Sequence, residues 1–187
     1  MEGLTIFDYK FDDQSLFYSR RIGHAPSRTL EPGNAQFLES PDKTTILSAA
    51  KFSGTSSKGL SVGVMQSLTS SEYARLSQPW GTTDKWQVEP MTSYTVARVQ
   101  KGYHAGNTFI GGMITSVNRF IREESPEFLG RNAFTGGLDF THYWKNKENY
   151  IDGRVIGSYV DGSTAAITAL QESSALYFQR PGAGYLN

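Results

Sequence analysis

Apolar and polar residues alternate one by one along much of the chain from Thr44 onward. Residues 132–144 are the clearest case, because Phe134, Leu138 and Phe140 fall on one face of an extended chain and polar side chains fall on the other. Alternation with a period of two is typical of β-strands with one apolar and one polar surrounding. The pattern therefore predicts an all-β, antiparallel protein.

The alternation predicts six strands that form three hairpins. They cover Thr44–Ser53, Gly59–Thr69, Thr92–Gly102, Asn107–Arg119, Asn132–Trp144 and Asn149–Asp161. Each strand has about 10–13 residues, whereas strands of soluble sheets usually have five or six. Strands of this length are long enough to cross a bilayer.

The connections between these strands alternate between short turns and long loops. The short ones cover residues 54–58, 103–106 and 145–148, and the long ones cover residues 71–90 and 120–131. Short turns at one end of an antiparallel sheet and long loops at the other are the plan of an outer-membrane β-barrel. Aromatic residues also lie near the predicted strand ends, as in the interfacial girdles of such barrels: Tyr94, Tyr103, Tyr143, Trp144, Tyr150 and Tyr159.

The two ends of the chain have other patterns. Residues 1–43 are predicted to form an N-terminal segment and loop, in which Leu16–Ile22 is a seventh strand and Gly23–Asp42 is a proline-rich loop. Residues 162–187 are predicted to form a long loop with a short helix over Ala165–Tyr177. The whole is one domain of about seven strands in up-and-down order, part of a transmembrane β-barrel.

Composition narrows the function classes. Lys plus Arg and Asp plus Glu are both 18, so the net charge is zero and nothing points to nucleic acid. The absence of cysteine excludes disulfides and thiolate catalysis. The sequence has no apolar run of the length that a transmembrane helix needs. Its mean hydropathy of −0.42 is compatible with barrel strands, in which only every second residue is apolar.

One motif suggests chemistry. Residues 59–63 match G-x-S-x-G, in which Ser61 would be the nucleophile of a hydrolase. That motif requires a strand, a sharp turn and a helix, but here the alternation continues to Thr69. We therefore predict an ordinary strand residue at Ser61. No histidine has a metal-binding partner at suitable spacing, so we expect no metal and no cofactor.

Two sets of residues are candidates for binding. We expect charged side chains on the polar face to line a lumen and to pair with one another: Arg20, Arg21, Asp139, Asp152 and Arg154. We expect aromatic rings in the longest loop to stack on sugar rings: Tyr73, Trp80 and Trp86.

Several segments in increasing order resemble one family. They are MEGLTIF, LFYSRRIGHAP, ILSAAKFSG, GLSVGVMQSLT, EPMTSYTVARVQKGYHAGNTFIGGMITSVNR, AFTGGLDFTHYW and ALYFQRP. Together they resemble the outer-membrane barrel segment of Gram-negative bacteria that is catalogued as domain of unknown function 5916. That segment usually follows a family-9-like carbohydrate-binding domain. The resemblance extends from Met1 to about Tyr185.

The resemblance implies a place and an architecture and no reaction. The expected partners are outer-membrane lipid and a carbohydrate or similar nutrient, in uptake or surface binding. Some relatives carry a hydrolase label, but the family offers no catalytic residues to transfer. The N-terminus has no recognisable signal peptide, so we expect an internal fragment of a longer barrel protein. Two alternatives stay open: a serine hydrolase that uses Ser61 and a soluble β-sandwich interaction module.

Overall fold

The computed structural model describes residues 5–7, 9–11, 14–17, 19–31, 37–78 and 81–173. The strands within these ranges are β1 (Lys10–Phe11), β2 (Gln14–Ser15), β3 (Phe37–Glu39), β4 (Ile46–Thr55), β5 (Leu60–Thr69), β6 (Glu72–Ser77), β7 (Thr83–Glu89), β8 (Thr92–Tyr103), β9 (Thr108–Arg119), β10 (Asn132–Trp144) and β11 (Asn149–Asp161). Helix α1 covers Thr164–Glu172, and short 3-10 helices cover Thr5–Phe7, Ser19–Arg21 and His104–Gly106.

Six antiparallel strands form the main sheet, in the order β11-β10-β9-β8-β5-β4. These are the six strands that the alternation predicts, with boundaries shifted by no more than two residues. Consecutive strands are neighbours except at β5 and β8, which pair across the intervening β6 and β7. Over the described residues β4 and β11 are free edges, so the sheet is open there. The all-β, largely up-and-down prediction is confirmed at this level.

A second, smaller sheet corrects the predicted loops. Strands β3, β6 and β7 form an antiparallel sheet in that order, whereas residues 71–90 were predicted to be a loop and β3 lies inside the predicted loop Gly23–Asp42. Strands β6 and β7 are short and pair with a register shift between Glu72 and Tyr73. A short, polar and bulged hairpin has little periodic signal, which explains why the pattern missed it.

The predicted seventh strand over Leu16–Ile22 is wrong. Ser19–Arg21 form a 3-10 turn, in which the Ile22 N–H donates to Ser19 O at 3.1 Å. Gly23 follows with φ of 74°, a conformation that favours glycine. Arg20 and Arg21 are both exposed, so the reasoning that placed one of them inward from a strand does not hold.

The predicted helix is confirmed as α1 in the part that the structure describes. Ser163 caps it, because the Ala166 N–H donates to Ser163 Oγ at 3.1 Å. Residues 174–177 of the predicted helix lie outside the described ranges. No helix among the described residues is long and apolar enough to cross a membrane.

The two faces of the main sheet differ sharply. The pairing registers place large apolar side chains from all six strands on one face. We call this the apolar face. Twelve of them have exposed fractions between 38 % for Leu60 and 73 % for Val155. The set is Phe52, Leu60, Val64, Val99, Ile110, Ile114, Phe134, Leu138, Phe140, Ile151, Val155 and Tyr159.

The hydrophobic core lies on the opposite side of the sheet, which we call the polar face. Phe7 and Tyr9, which precede β1, are buried there against Val96 of β8 and Met113 of β9. Partly buried Ile6, Leu16, Phe17 and Met65 pack around this cluster. The described residues of the N-terminal segment (5–7, 9–11 and 14–17) therefore cover the polar face, and the described residues leave the apolar face uncovered.

Candidate functional site

A buried ion pair crosses the polar face. The Arg98 guanidinium of β8 donates through Nη1 and Nη2 to the two carboxylate oxygens of Asp139 of β10, at 3.0 and 3.2 Å. The two side chains are only 7 % and 9 % exposed. A bidentate pair of this kind fixes both groups in one geometry. Asp139 was predicted on this face, and Arg98 was missed.

A glycine of the strand between them makes room for this pair. Asp139 lies opposite Gly111 of β9 in the register. A Cβ atom at Gly111 would lie 2.7 Å from Asp139 Oδ1 and 2.8 Å from Oδ2. Glycine in a strand often marks a close approach by another group, so the absent side chain at Gly111 leaves the space that the Asp139 carboxylate fills.

Tyr9 covers the ion pair from the N-terminal segment. Its ring lies over the Arg98 guanidinium at 4.9 Å, and its hydroxyl donates to the backbone oxygen of Leu138 at 2.8 Å. Tyr9 is 2 % exposed. Burial, and then the negative charge of Asp139, raise the pKa of the Tyr9 phenol above its ordinary value, so it stays protonated as a donor.

Two more glycines of the polar face form sockets for the N-terminal segment. A Cβ at Gly63 of β5 would lie 2.8 Å from Phe7 Cζ. A Cβ at Gly137 of β10 would lie 2.7 Å from Tyr9 Oη. By contrast, Gly153 and Gly157 of β11 have nothing within 4 Å of such an atom. The polar face is therefore shaped to hold Phe7 and Tyr9.

We expect Gly137→Ala to displace the N-terminal segment and to lower the free energy of unfolding by about 1–3 kcal/mol, as overpacking does. Chymotrypsin measures the displacement, because cleavage after Phe7 or Tyr9 requires those buried rings to leave the sheet. The matched control is Gly136→Ala, whose Cβ would meet Ile114 Cγ2 and Met113 O at an ordinary 3.7 Å. Equal cleavage rates in the two variants would contradict the conclusion that Gly137 leaves the space that Tyr9 fills.

A second ion pair lies nearer the solvent on the same face. Arg154 Nη2 lies 3.0 Å from Asp152 Oδ2, and both side chains are 32 % exposed. The Thr141 hydroxyl donates to Asp152 Oδ1 at 2.8 Å. Arg154 pairs with Asp139 in the strand register, so this group adjoins the buried pair. Of the five charged residues expected on this face, the three on strands β10 and β11 lie there.

Two of the three loop aromatics, Tyr73 and Trp86, lie on the small sheet. Tyr73 is already engaged: its hydroxyl donates to Glu124 at 3.2 Å, and Lys85 Nζ lies 3.9 Å from its ring centre. Trp86 of β7 keeps 47 % of its surface exposed, with the Arg28 guanidinium 5.3 Å from its ring. Trp80 lies outside the described residues. Of the two described aromatics, Trp86 thus has the more surface to offer a ligand.

Ser61 lies within strand β5, opposite Gln100 of β8. Its hydroxyl shares a hydrogen bond of 2.9 Å with Thr55 Oγ1. The strand continues to Thr69, so the strand-turn-helix geometry of a nucleophile elbow is not formed at this serine.

The comparison with protein families identifies one family. A model of the family described as "Domain of unknown function (DUF5916)" matches residues 1–179. The chain belongs to the DUF5916 family. No curated protein and no solved structure matches it. The match of the DUF5916 model includes the N-terminal segment together with all strands of both sheets.

Proposed function

We propose that this DUF5916 chain forms part of the wall of a bacterial outer-membrane β-barrel, with the apolar face toward lipid and the polar face toward the lumen. The observation that carries the proposal is the exposed apolar face. Soluble monomers rarely expose contiguous apolar patches larger than a few hundred Å². Here twelve large apolar side chains of one face, with members from all six strands, are at least 38 % exposed.

The arrangement of the connections supports an orientation. The turns at residues 56–59, 104–107 and 145–148 lie at one end of the sheet. The small sheet, the loop 120–131 and helix α1 lie at the other end. Strands β6 and β7 connect β5 to β8 there, the loop connects β9 to β10, and α1 follows β11. Outer-membrane barrels have short periplasmic turns and longer extracellular loops. In this proposal the small sheet and α1 face the cell exterior.

The membrane placement is tested by folding the full chain with and without detergent or lipid. We expect native β-structure only with micelles or vesicles, since water would otherwise contact the apolar face. A monodisperse, folded monomer in plain buffer would contradict the proposal and would favour a soluble interaction module.

Within this proposal, the barrel serves uptake or surface binding of a carbohydrate or similar nutrient. Two things support it: the resemblance to barrels that follow a carbohydrate-binding domain, and the exposed Trp86 on the exterior sheet. Sugar rings present apolar faces that stack on an aromatic ring and hydroxyls that bond to polar groups nearby. Lys85, Glu123 and Glu124 line the same groove as Trp86 and would supply such groups.

We expect Trp86→Ala to weaken oligosaccharide binding about tenfold, a loss of about 1.4 kcal/mol. Isothermal titration calorimetry with maltohexaose, cellohexaose and xylohexaose measures this. The control is Trp144→Ala, because Trp144 is similarly exposed, at 43 %, and lies at the end with the short turns. Failure of all three sugars to bind the unmodified protein would contradict the carbohydrate proposal and leave the membrane placement standing.

A further inference from the structure

A cavity that is partly open to solvent lies on the polar face, at the end where the long loops are. Its volume is about 650 Å³, within the range of small-molecule sites. The sheet forms one wall, and residues of the ranges 16–24 and 128–130 and of helix α1 form the others. Most of its lining is aliphatic or aromatic, for example Leu16, Phe17, Val96, Val117, Leu129 and Leu170.

The charged side chains of this cavity are all basic. Arg21 and Arg119 line it together with His24, and no Asp or Glu is among its lining residues. The buried carboxylate of Glu89 lies outside the lining, and its Oε2 accepts the Ser27 N–H at 2.7 Å. The cavity thus combines apolar walls with basic side chains and has no acidic residue among its described lining residues.

Arg119 carries the strongest indication of a missing partner. Its Nη1 donates to the backbone oxygen of Gly130 at 2.9 Å. Its Nε is buried and has no hydrogen-bond partner among the described residues. The described residues therefore leave part of the hydrogen-bonding capacity of this guanidinium unused.

We propose that this cavity binds an amphiphilic carboxylate, a molecule with one anionic head group on an apolar body. The head group lies at the guanidinium groups of Arg119 and Arg21, which offer the geometry that carboxylates match. The apolar body lies along the aliphatic walls between the sheet and α1. A neutral polyol would leave most of these walls without a complementary surface. The inference goes beyond membrane placement and sugar binding, because it concerns a different site and a different class of ligand.

The probes are octanoate, octanol and octylammonium, titrated by calorimetry into the full chain in its folded state and corrected with a blank that contains only detergent. These compounds share the chain and differ in the charge of the head group. We expect octanoate to bind at least tenfold more tightly than octanol and octylammonium not to bind in the cavity. Equal affinities for octanoate and octanol would overturn the proposal, since that result indicates partition into apolar surface only.

Substitutions identify the residues that bind the carboxylate head group of octanoate. We expect Arg119→Gln to weaken octanoate about tenfold, Arg21→Gln to weaken it severalfold and Arg119→Lys to retain part of the affinity. The control is Arg20→Gln, because Arg20 is the neighbour of Arg21 but does not line the cavity. Should Arg119→Gln fail to fold, exposed Arg21 still provides the test. Octanoate binding that is unchanged in the folded Arg21→Gln and Arg119→Gln proteins would overturn the proposal, whatever the outcome of the detergent experiment.

Discussion

Asp139→Ala is expected to lower the free energy of unfolding by about 3–5 kcal/mol, the range found when one partner of a buried ion pair is removed. The reason is that Arg98 would remain buried at 7 % exposure, between the sheet and the Tyr9 ring, without its carboxylate. Urea titration of the folded protein in detergent, followed by tryptophan fluorescence, measures the change.

The matched control is Asp152→Ala in the neighbouring pair. Both side chains of that pair are 32 % exposed, so the expected loss is at most about 1 kcal/mol. A second arm replaces both partners of the buried pair at once, as Arg98→Met with Asp139→Leu. This double variant is expected to recover most of the lost stability, because no unpaired charge stays buried. Equal losses for Asp139→Ala and Asp152→Ala would contradict the stabilising role of the buried Arg98–Asp139 pair.

Val155→Arg is expected to make folding into lipid vesicles less favourable by about 2–4 kcal/mol, the range for arginine on the lipid face near the bilayer midplane. Val155 is in the middle of β11 on the apolar face and is 73 % exposed. At an exposed position in water the same substitution would be close to neutral. The size of the loss therefore shows whether lipid or water contacts the apolar face.

Ser158→Arg is the control on the same strand. Ser158 is also exposed but lies on the polar face, opposite Thr135. We expect a change within about 0.5 kcal/mol there, as for an ordinary surface position. Two small and equal changes would contradict the assignment of the apolar face to lipid.

The six long strands could be predicted because their signal is local. Each has ten or more residues and alternates with period two, and no other element of that length has this period. The small sheet could not be predicted in the same way. Strand β3 has three residues and β6 has six, so their pairing depends on contacts with distant segments more than on their own pattern.

The polar site was predictable in part. Asp139, Asp152 and Arg154 follow from alternation in β10 and β11. Alternation in β8 also places Arg98 on the polar face, so its position could have been predicted. Its pairing with Asp139 could not, because the two residues lie on strands that are separated by β9. The position of Tyr9 over the ion pair could not be predicted from the local sequence, because the Tyr9–Leu138 hydrogen bond joins residues that are 129 positions apart.

Glycines inside the strands indicate where other side chains pack against the polar face. Gly63, Gly111 and Gly137 all fall on the polar phase of their strands, and each is a place where a side chain approaches the backbone closely. The error at Arg20 and Arg21 has the opposite cause. A short run of apolar and aromatic residues around them looks extended in sequence, although the backbone there turns toward Gly23.

The orientation of the apolar face is tested most directly by two single cysteines, which are unambiguous because the chain has none of its own. Leu138→Cys and Ser158→Cys are labelled with the same fluorophore, and the protein is folded in vesicles. We predict that a nitroxide on lipid tails quenches the label at residue 138 and that aqueous iodide does not, with the reverse at residue 158. Iodide quenching at residue 138 equal to that at residue 158 would contradict the membrane assignment.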